Sequence, residues 1–320
     1  QQGIEDWNFL TKTIYTNSLG FRDKEIREIQ KISKKKRILL LGDSFIEGAG
    51  YNYEYTVAGL LDDKLKPRYE ILNAGVGSYS PGAYFLKTKY FIDQGYKFDY
   101  AIVFLDLSDI FDELDYNYNA SYSKILHTQK KKIKLHKKTF YQVGNFFLEH
   151  TLTFKFFLLI TDKSEQLKNF LKLKYKASKE FKKNFFLTSK EDALFYRMIT
   201  IDRGAWTKDA DSFKFVKEGF NKSEFFLRKL FNLLNENEVK SYLIVYPWPH
   251  QIYYNDNYHE PLWKDFANKN NINFLSLYEE FNYSSNKRQI ILDNFIFGDI
   301  HWNKKGNQLI SDGILNQVKF

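Results

Sequence analysis

The stretch Leu39-Leu40-Leu41-Gly42-Asp43-Ser44-Phe45 decides how the rest of the chain is read. A short apolar run that stops at a Gly-Asp-Ser turn has the length of a buried strand, and the turn sets a hydroxyl where that strand leaves its sheet. Near the other end, Gly298-Asp299-Ile300-His301-Trp302 supplies an imidazole with a carboxylate two residues before it. A hydroxyl, a base and an orienting carboxylate are the groups a serine nucleophile needs, here split across the sequence.

Working outward, apolar runs of strand length recur at 37–41, 69–72, 100–105, 241–246 and 273–277. Helical spacing lies between them. Residues 54–66 carry Val57, Leu60, Leu61 and Leu65 on one stripe, and residues 217–235 carry Phe220, Phe225, Leu227, Leu230, Phe231 and Leu234. Residues 304–318 repeat the pattern with Leu309, Ile310, Ile314 and Val318, and Asn303 stands ready as the N-cap. Strand alternating with helix predicts an α/β fold: a flavodoxin-like, doubly wound parallel five-stranded sheet with its site at the strand C-termini. About 100 residues separate the third strand from the helix before the fourth, too many for an ordinary connection. Residues 115–216 are therefore expected to form a mainly helical insertion or lid, with 1–114 and 217–320 as the two parts of the core.

Composition bounds the possibilities. With 320 residues, 43% hydrophobic content, 31 Phe and 23 Tyr, the chain can fill one large core and is not a disordered segment. It has no cysteine, which excludes disulfides, thiolate metal sites and a cysteine nucleophile. There are 48 Lys and Arg against 39 Asp and Glu, and much of the excess sits at 124–138, including Lys130-Lys131-Lys132, and at 168–183. These tracts read either as solvated helix faces or as surfaces for an anionic glycan or lipid; no reader module accompanies them, so nucleic acid is not expected as a partner. The apolar stretch 146–160 is broken by Glu149, His150 and Lys155 and is too short and charged to span a membrane. It reads as a packing helix or as a surface for a partner or peripheral membrane contact. The chain starts at Gln1-Gln2 and its one methionine is Met198, so a processed signal peptide or an anchor ahead of Gln1 is expected.

Two further blocks follow strands. Asn73-Ala74-Gly75-Val76-Gly77-Ser78-Tyr79-Ser80-Pro81 comes after the second, and Asp106-Leu107-Ser108-Asp109 after the third. The acids Asp106, Asp109, Asp112 and Glu113 read either as a metal site or as strand-end acids that cap helices; no histidine lies near them in sequence, so no metal and no cofactor is expected. Trp248 in Tyr246-Pro247-Trp248-Pro249-His250 reads either as a core ring or as a platform for a sugar. A Gly-x-Ser-x-Gly elbow, a P-loop, a dinucleotide fingerprint and His-Glu-x-x-His are all missing.

Through these blocks the chain resembles the SGNH (GDSL-type) hydrolases, over roughly residues 37–113 and 241–320. The resemblance implies that Ser44 is the nucleophile, His301 the base and Asp299 its orienting acid. It also implies an oxyanion hole from the backbone N–H groups of Ser44 and Ser78, with Ser108 as third donor. Ser78 stands where the family commonly has glycine and Ser108 where it has asparagine. Asp43, Trp248 and Trp302 are expected to touch substrate. The Asp-x-His-Trp spacing resembles the branch of the alginate O-acetyltransferases, and Asn17-Ser18-Leu19-Gly20-Phe21-Arg22-Asp23 resembles a segment of envelope-associated members. By resemblance, then, the chain is an O-acyl esterase or O-acetyltransferase on carbohydrate, outside the cytoplasm. Its partners would be an acylated glycan or acyl donor and a membrane-bound acyltransferase. A low-turnover glycan-binding or assembly subunit on the same scaffold is the other reading.

Overall fold

The computed structural model describes residues 13–115, 190–200, 202–207, 213–214 and 216–320. Its strands are β1 (Tyr15–Thr16), β2 (Arg22–Asp23), β3 (Lys36–Leu41), β4 (Tyr69–Asn73), β5 (Tyr100–Leu105), β6 (Lys240–Val245) and β7 (Asn273–Ser276). They form one sheet in the order β1-β2-β4-β3-β5-β6-β7. The β3–β4, β3–β5, β5–β6 and β6–β7 pairs are parallel, whereas β2 joins β4 and β1 joins β2 antiparallel. The five parallel strands are the ones expected from their apolar runs, with no end displaced by more than one residue. In their own order they run 2-1-3-4-5, the doubly wound arrangement whose direction of winding reverses between β3 and β5.

Helices cover both faces because the strands are apolar on both. They are α1 (Ser44–Glu47), α2 (Val57–Leu65), α3 (Pro81–Asp93), α4 (Asp109–Asp115), α5 (Lys190–Ile199), α6 (Lys217–Glu236), α7 (Pro249–Tyr254), α8 (His259–Lys269), α9 (Lys287–Asn294) and α10 (Lys304–Gln317). Alternate residues of each strand point to opposite faces. Ile38, Leu40, Ile102, Phe104 and Ile244 pack with Val57, Leu61, Ile310 and Ile314 of α2 and α10. Leu39, Leu41, Ala101, Val103 and Leu243 pack with Phe91 of α3, Leu227, Leu230 and Leu234 of α6, and Trp263 of α8. Truncating one such buried leucine to alanine costs about 2–5 kcal/mol, several times what a surface ion pair such as Lys66–Asp63 contributes. Layered burial therefore holds the sheet.

The helical pattern at 54–66 resolves into two pieces: a 3-10 turn at Tyr53–Tyr55, then α2, with the Thr56 hydroxyl accepting from the Gly59 N–H at 3.2 Å. Asn303 caps α10 as expected, accepting from the Gly306 N–H at 3.0 Å. Of the expected insertion, Phe195, Met198 and Ile199 join the first core layer and Trp206 the second. The lysine tracts at 124–138 and 168–183 and the apolar stretch at 146–160 lie outside the described residues. No helix among the described residues is long and apolar enough to cross a membrane.

The two N-terminal strands were not expected, being two residues each and too short for a period to register. They carry a brace. Buried Arg22 in β2 donates through Nη1 to the carbonyls of Glu47 and Gly48, each at 2.6 Å, and through Nη2 to the carbonyl of Tyr51. One side chain thus ties down the end of α1 and the turn after it. Burial pulls the guanidinium pKa down, opposed by Glu47, which is the electrostatic cost of placing a cation there.

Two outcomes test this packing. Arg22→Met leaves three carbonyls without their donor, and urea denaturation is expected to register a loss of about 3 kcal/mol. His259, wholly buried, has its pKa pushed by burial from 6.5 down to about 3. The unfolded chain therefore binds the extra proton between those values, and stability falls as pH drops through that window by about 1.4 kcal/mol per unit. His259→Phe is expected to flatten the acid limb of the melting temperature against pH; an unchanged slope contradicts the assignment.

Candidate active site

Ser44 opens α1 directly after the turn that closes β3. Gly42 permits the approach: a Cβ there would meet Ile46 Cγ1 at 2.6 Å and Phe104 Cβ at 3.3 Å, so a side chain would push the short helix off the strand end. Asp43 caps the helix, its Oδ1 accepting from the Phe45 N–H at 3.0 Å. The Ser44 N–H meets no acceptor among the described residues.

His301 and Asp299 sit on a tight loop between α9 and α10. Ile296 N donates to the His301 carbonyl and Asp299 N to the Ile296 carbonyl, both at 2.9 Å, while Phe295 and Trp302 form an antiparallel bridge. Asp299 Oδ1 then accepts twice from His301, from the backbone N–H at 2.9 Å and from ring Nδ1 at 2.5 Å. On the far side of the ring, Nε2 lies 2.8 Å from Ser44 Oγ across 257 positions of sequence. The three expected residues therefore form one hydrogen-bonded line.

Protonation gives the line a direction. Burial raises the Asp299 pKa, but the hydrogen bonds and charge of His301 outweigh it and hold the carboxyl below its ordinary value. An ionised carboxylate only accepts, so Nδ1 is the donor and Nε2 of the neutral ring accepts from the serine hydroxyl. The side chains of His301 and Asp299 remain 16% and 23% exposed, open enough to be reached from solvent. Phe45 supports the imidazole with ring centroids 4.7 Å apart, and Trp302 packs on Phe45 at the same separation.

Under the serine lies an acid cluster. Asp43, Asp106 and Asp109 are buried, each with a carboxylate oxygen, all within 4.8 Å of one another. Burial, then the neighbouring carboxylates, raises the pKa of Asp43 well above the ordinary range, and the same causes raise Asp109. Such a group has the spacing to hold a cation, yet fixed donors face most of its oxygens, Asp109 Oδ1 being buried without one. Asp106 accepts from the Ser108 N–H at 2.7 Å and from Trp248 Nε1 at 2.6 Å, and Asp109 Oδ2 accepts from Tyr84 OH at 3.0 Å and the Asp106 N–H at 3.2 Å. The donor set suits a proton-sharing carboxylate cluster better than a metal. Asp43 Oδ2 stands 3.3 Å from Ser44 Oγ against 2.8 Å for Nε2, so the imidazole is the nearer partner of the hydroxyl.

Three expected substrate contacts are corrected. Trp248 is 1% exposed and spends its indole N–H on Asp106, so it has no face for a sugar. Trp302, 2% exposed, packs between Phe45 and Tyr246. Asp43, 3% exposed, is a helix cap beneath the serine. All three are supports of the site. Ser78 adopts φ +64°, the left-handed conformation open to glycine, at a cost of about 1–2 kcal/mol for a side-chain-bearing residue. Its neighbour Gly77 donates to Glu47 Oε2 at 2.8 Å, and a Cβ built on Gly77 would stand 3.7 Å from Ser44 Cβ, so this loop reaches Ser44. Ser108 is buried after β5. Arg22 was missed although it lay inside the quoted 17–23 segment, because no sequence period signals a brace.

No protein-family model and no curated protein matches the chain. Solved structures similar to it include an alpha/beta hydrolase enzyme from the metagenome of Lake Arreo, Spain, at 11% identity and TM-score 0.44, covering 89% of this chain and 96% of that one. A psychrotrophic esterase from Pseudoalteromonas sp. is 12% identical with TM-score 0.40, covering 88% and 96%. A catalytic mutant of an acetylxylan esterase from Geobacillus stearothermophilus is 13% identical with TM-score 0.42, covering 91% and 97%. At this distance the fold rests on the strand order of the chain itself, and the chemistry on its own side chains.

Proposed function

We propose that the protein is a serine-dependent acyl-transfer enzyme acting on O-acyl esters of carbohydrate, as an esterase or an O-acetyltransferase. One observation carries the reading: the continuous line from Ser44 Oγ through His301 to Asp299, with contacts of 2.8 and 2.5 Å. Ser44 attacks the ester carbonyl while Nε2 of His301 takes its proton, and the Asp299 carboxylate stabilises the imidazolium. Backbone N–H groups of Ser44 and Ser78, with Ser108, face the developing oxyanion. Collapse of the tetrahedral intermediate expels the alcohol, which leaves with the proton from His301. The acyl-serine then passes either to water or to a sugar hydroxyl, activated by the same base. Short acyl groups, an envelope or exported glycan, a location outside the cytoplasm and a membrane-bound acyltransferase as donor partner belong to this reading.

A fluorophosphonate probe is expected to label the wild type and leave Ser44→Ala unlabelled; a folded wild type that stays unlabelled favours a glycan-binding or assembly subunit. Asp299→Asn strips the imidazole of its orienting charge, and kcat on a chromogenic acetyl ester is expected to fall about 10⁴-fold. Adding sugar acceptors to that assay divides the two fates: acetylated sugar at the expense of free acetate marks a transferase, and an unaltered product ratio marks an esterase.

A further inference from the structure

Arg203 brings a positive charge to the strand-end edge that no expectation accounted for. Its Nη2 pairs with Asp112 Oδ1 at 2.5 Å and lies 3.5 Å from the Ser108 carbonyl oxygen. The Asp112 side chain is 1% exposed while that of Arg203 keeps 38% of its surface open, so one end of the guanidinium is anchored inside and the other faces out. Both of these contacts run through Nη2. The position is fixed by more than the ion pair. Trp206 Nε1, three residues on, donates to the Leu107 carbonyl at 3.0 Å, and a Cβ on Gly204 would press within 3.1 Å of Trp248, itself bonded to Asp106. The turn Asp202–Thr207 is thus fastened to the loop after β5, whose Asp106 has a carboxylate oxygen within 4.8 Å of one on Asp43, the residue before Ser44. Arg203 lowers the pKa of Asp43, and Asp112, Asp106 and Asp43 raise its own against burial, so the groups share one electrostatic neighbourhood.

We propose that Arg203 is a catalytic donor, its outward N–H groups binding the oxyanion that forms when Ser44 attacks the ester. The inference rests on the serine acyl-transfer reading. As the Oγ–C bond forms, the carbonyl π pair moves onto oxygen and the hydroxyl proton moves to His301 Nε2; the guanidinium meets that new negative charge. When the carbonyl re-forms, the bond to the leaving alcohol breaks, His301 returns the proton to it, and the guanidinium contact weakens. A charged donor is roughly twice as strong as a neutral one, which suits a site where the Ser108 hydroxyl is short and buried.

Steady-state kinetics of the full chain on a chromogenic acetyl ester test this. Arg203→Ala is expected to lower kcat about 100-fold with a much smaller change in KM. Arg203→Lys, which keeps the charge and the Asp112 pair, should fall between that variant and the wild type. Free guanidinium ion, at concentrations far below those that unfold the chain, should restore part of the Arg203→Ala activity. The paired variant Arg203→Ala with Asp112→Asn separates donor from support. If Arg203 merely neutralises Asp112, the pair recovers wild-type kcat and the proposal is overturned; if it binds the oxyanion, the pair stays impaired. An active wild type with an equally active Arg203→Ala overturns this inference alone. A wild type inert to both ester and fluorophosphonate overturns the acyl-transfer reading and this inference with it.

Discussion

The contact between the Ser44 hydroxyl and the His301 imidazole is the constraint on which the rest of the site depends. It joins two turns 257 positions apart at 2.8 Å, and a misplacement of 1 Å costs a catalyst on the order of 100-fold. Each turn is accordingly over-determined. The serine side is set by the close approach at Gly42, the Asp43 cap and the three carbonyls gathered by Arg22. The histidine side is set by the backbone bonds between Ile296 and His301 and by the double use of Asp299 Oδ1. Between them Phe45, Tyr246 and Trp302 fill the space with rings in mutual contact, so neither turn can relax without opening the core.

Burying three carboxylates beneath Ser44 is costly unless they are neutralised or hydrogen-bonded, and each of the three accepts at least one hydrogen bond, although Asp109 Oδ1 accepts none. Backbone N–H groups, the Trp248 indole and the Tyr84 hydroxyl point into the cluster, while mutual repulsion and burial favour the protonated forms of Asp43 and Asp109. Ser44 Oγ lies closer to His301 Nε2, at 2.8 Å, than to Asp43 Oδ2, at 3.3 Å, which directs the hydroxyl at the imidazole. Arg203, paired with Asp112 at the rim, sets a fixed cation beside the same cluster.

Much of this was legible in the sequence, and the reason is local. The five parallel strands announce themselves because a strand buried on both faces is a continuous apolar run, as at 100–105, which matches β5 residue for residue. Ser44 was legible from the Gly-Asp-Ser turn that ends an apolar run, and Asp299 with His301 from a carboxylate two residues before an imidazole; their joining across 257 positions rested on the resemblance. What failed depends on three dimensions. A tryptophan at a strand end looks the same whether its ring faces solvent or, as Trp248 does, covers a buried acid. Strands β1 and β2 are too short to show a period and exist through pairing with β4. Arg22 and Arg203 act across 25 and 95 positions on backbone carbonyls, which leave no mark in the side-chain pattern.

The most direct measurement is nitrogen NMR of the histidine rings in protein labelled with ¹⁵N-histidine, with the His301 signals identified by their loss in His301→Gln. In the neutral ring the proton is expected on Nδ1, held by Asp299, with Nε2 bare to receive the serine proton, and Asp299→Asn should disturb that tautomer. A wild-type ring carrying its proton on Nε2, with Nδ1 bare, has no acceptor for Ser44 and contradicts the account at its centre.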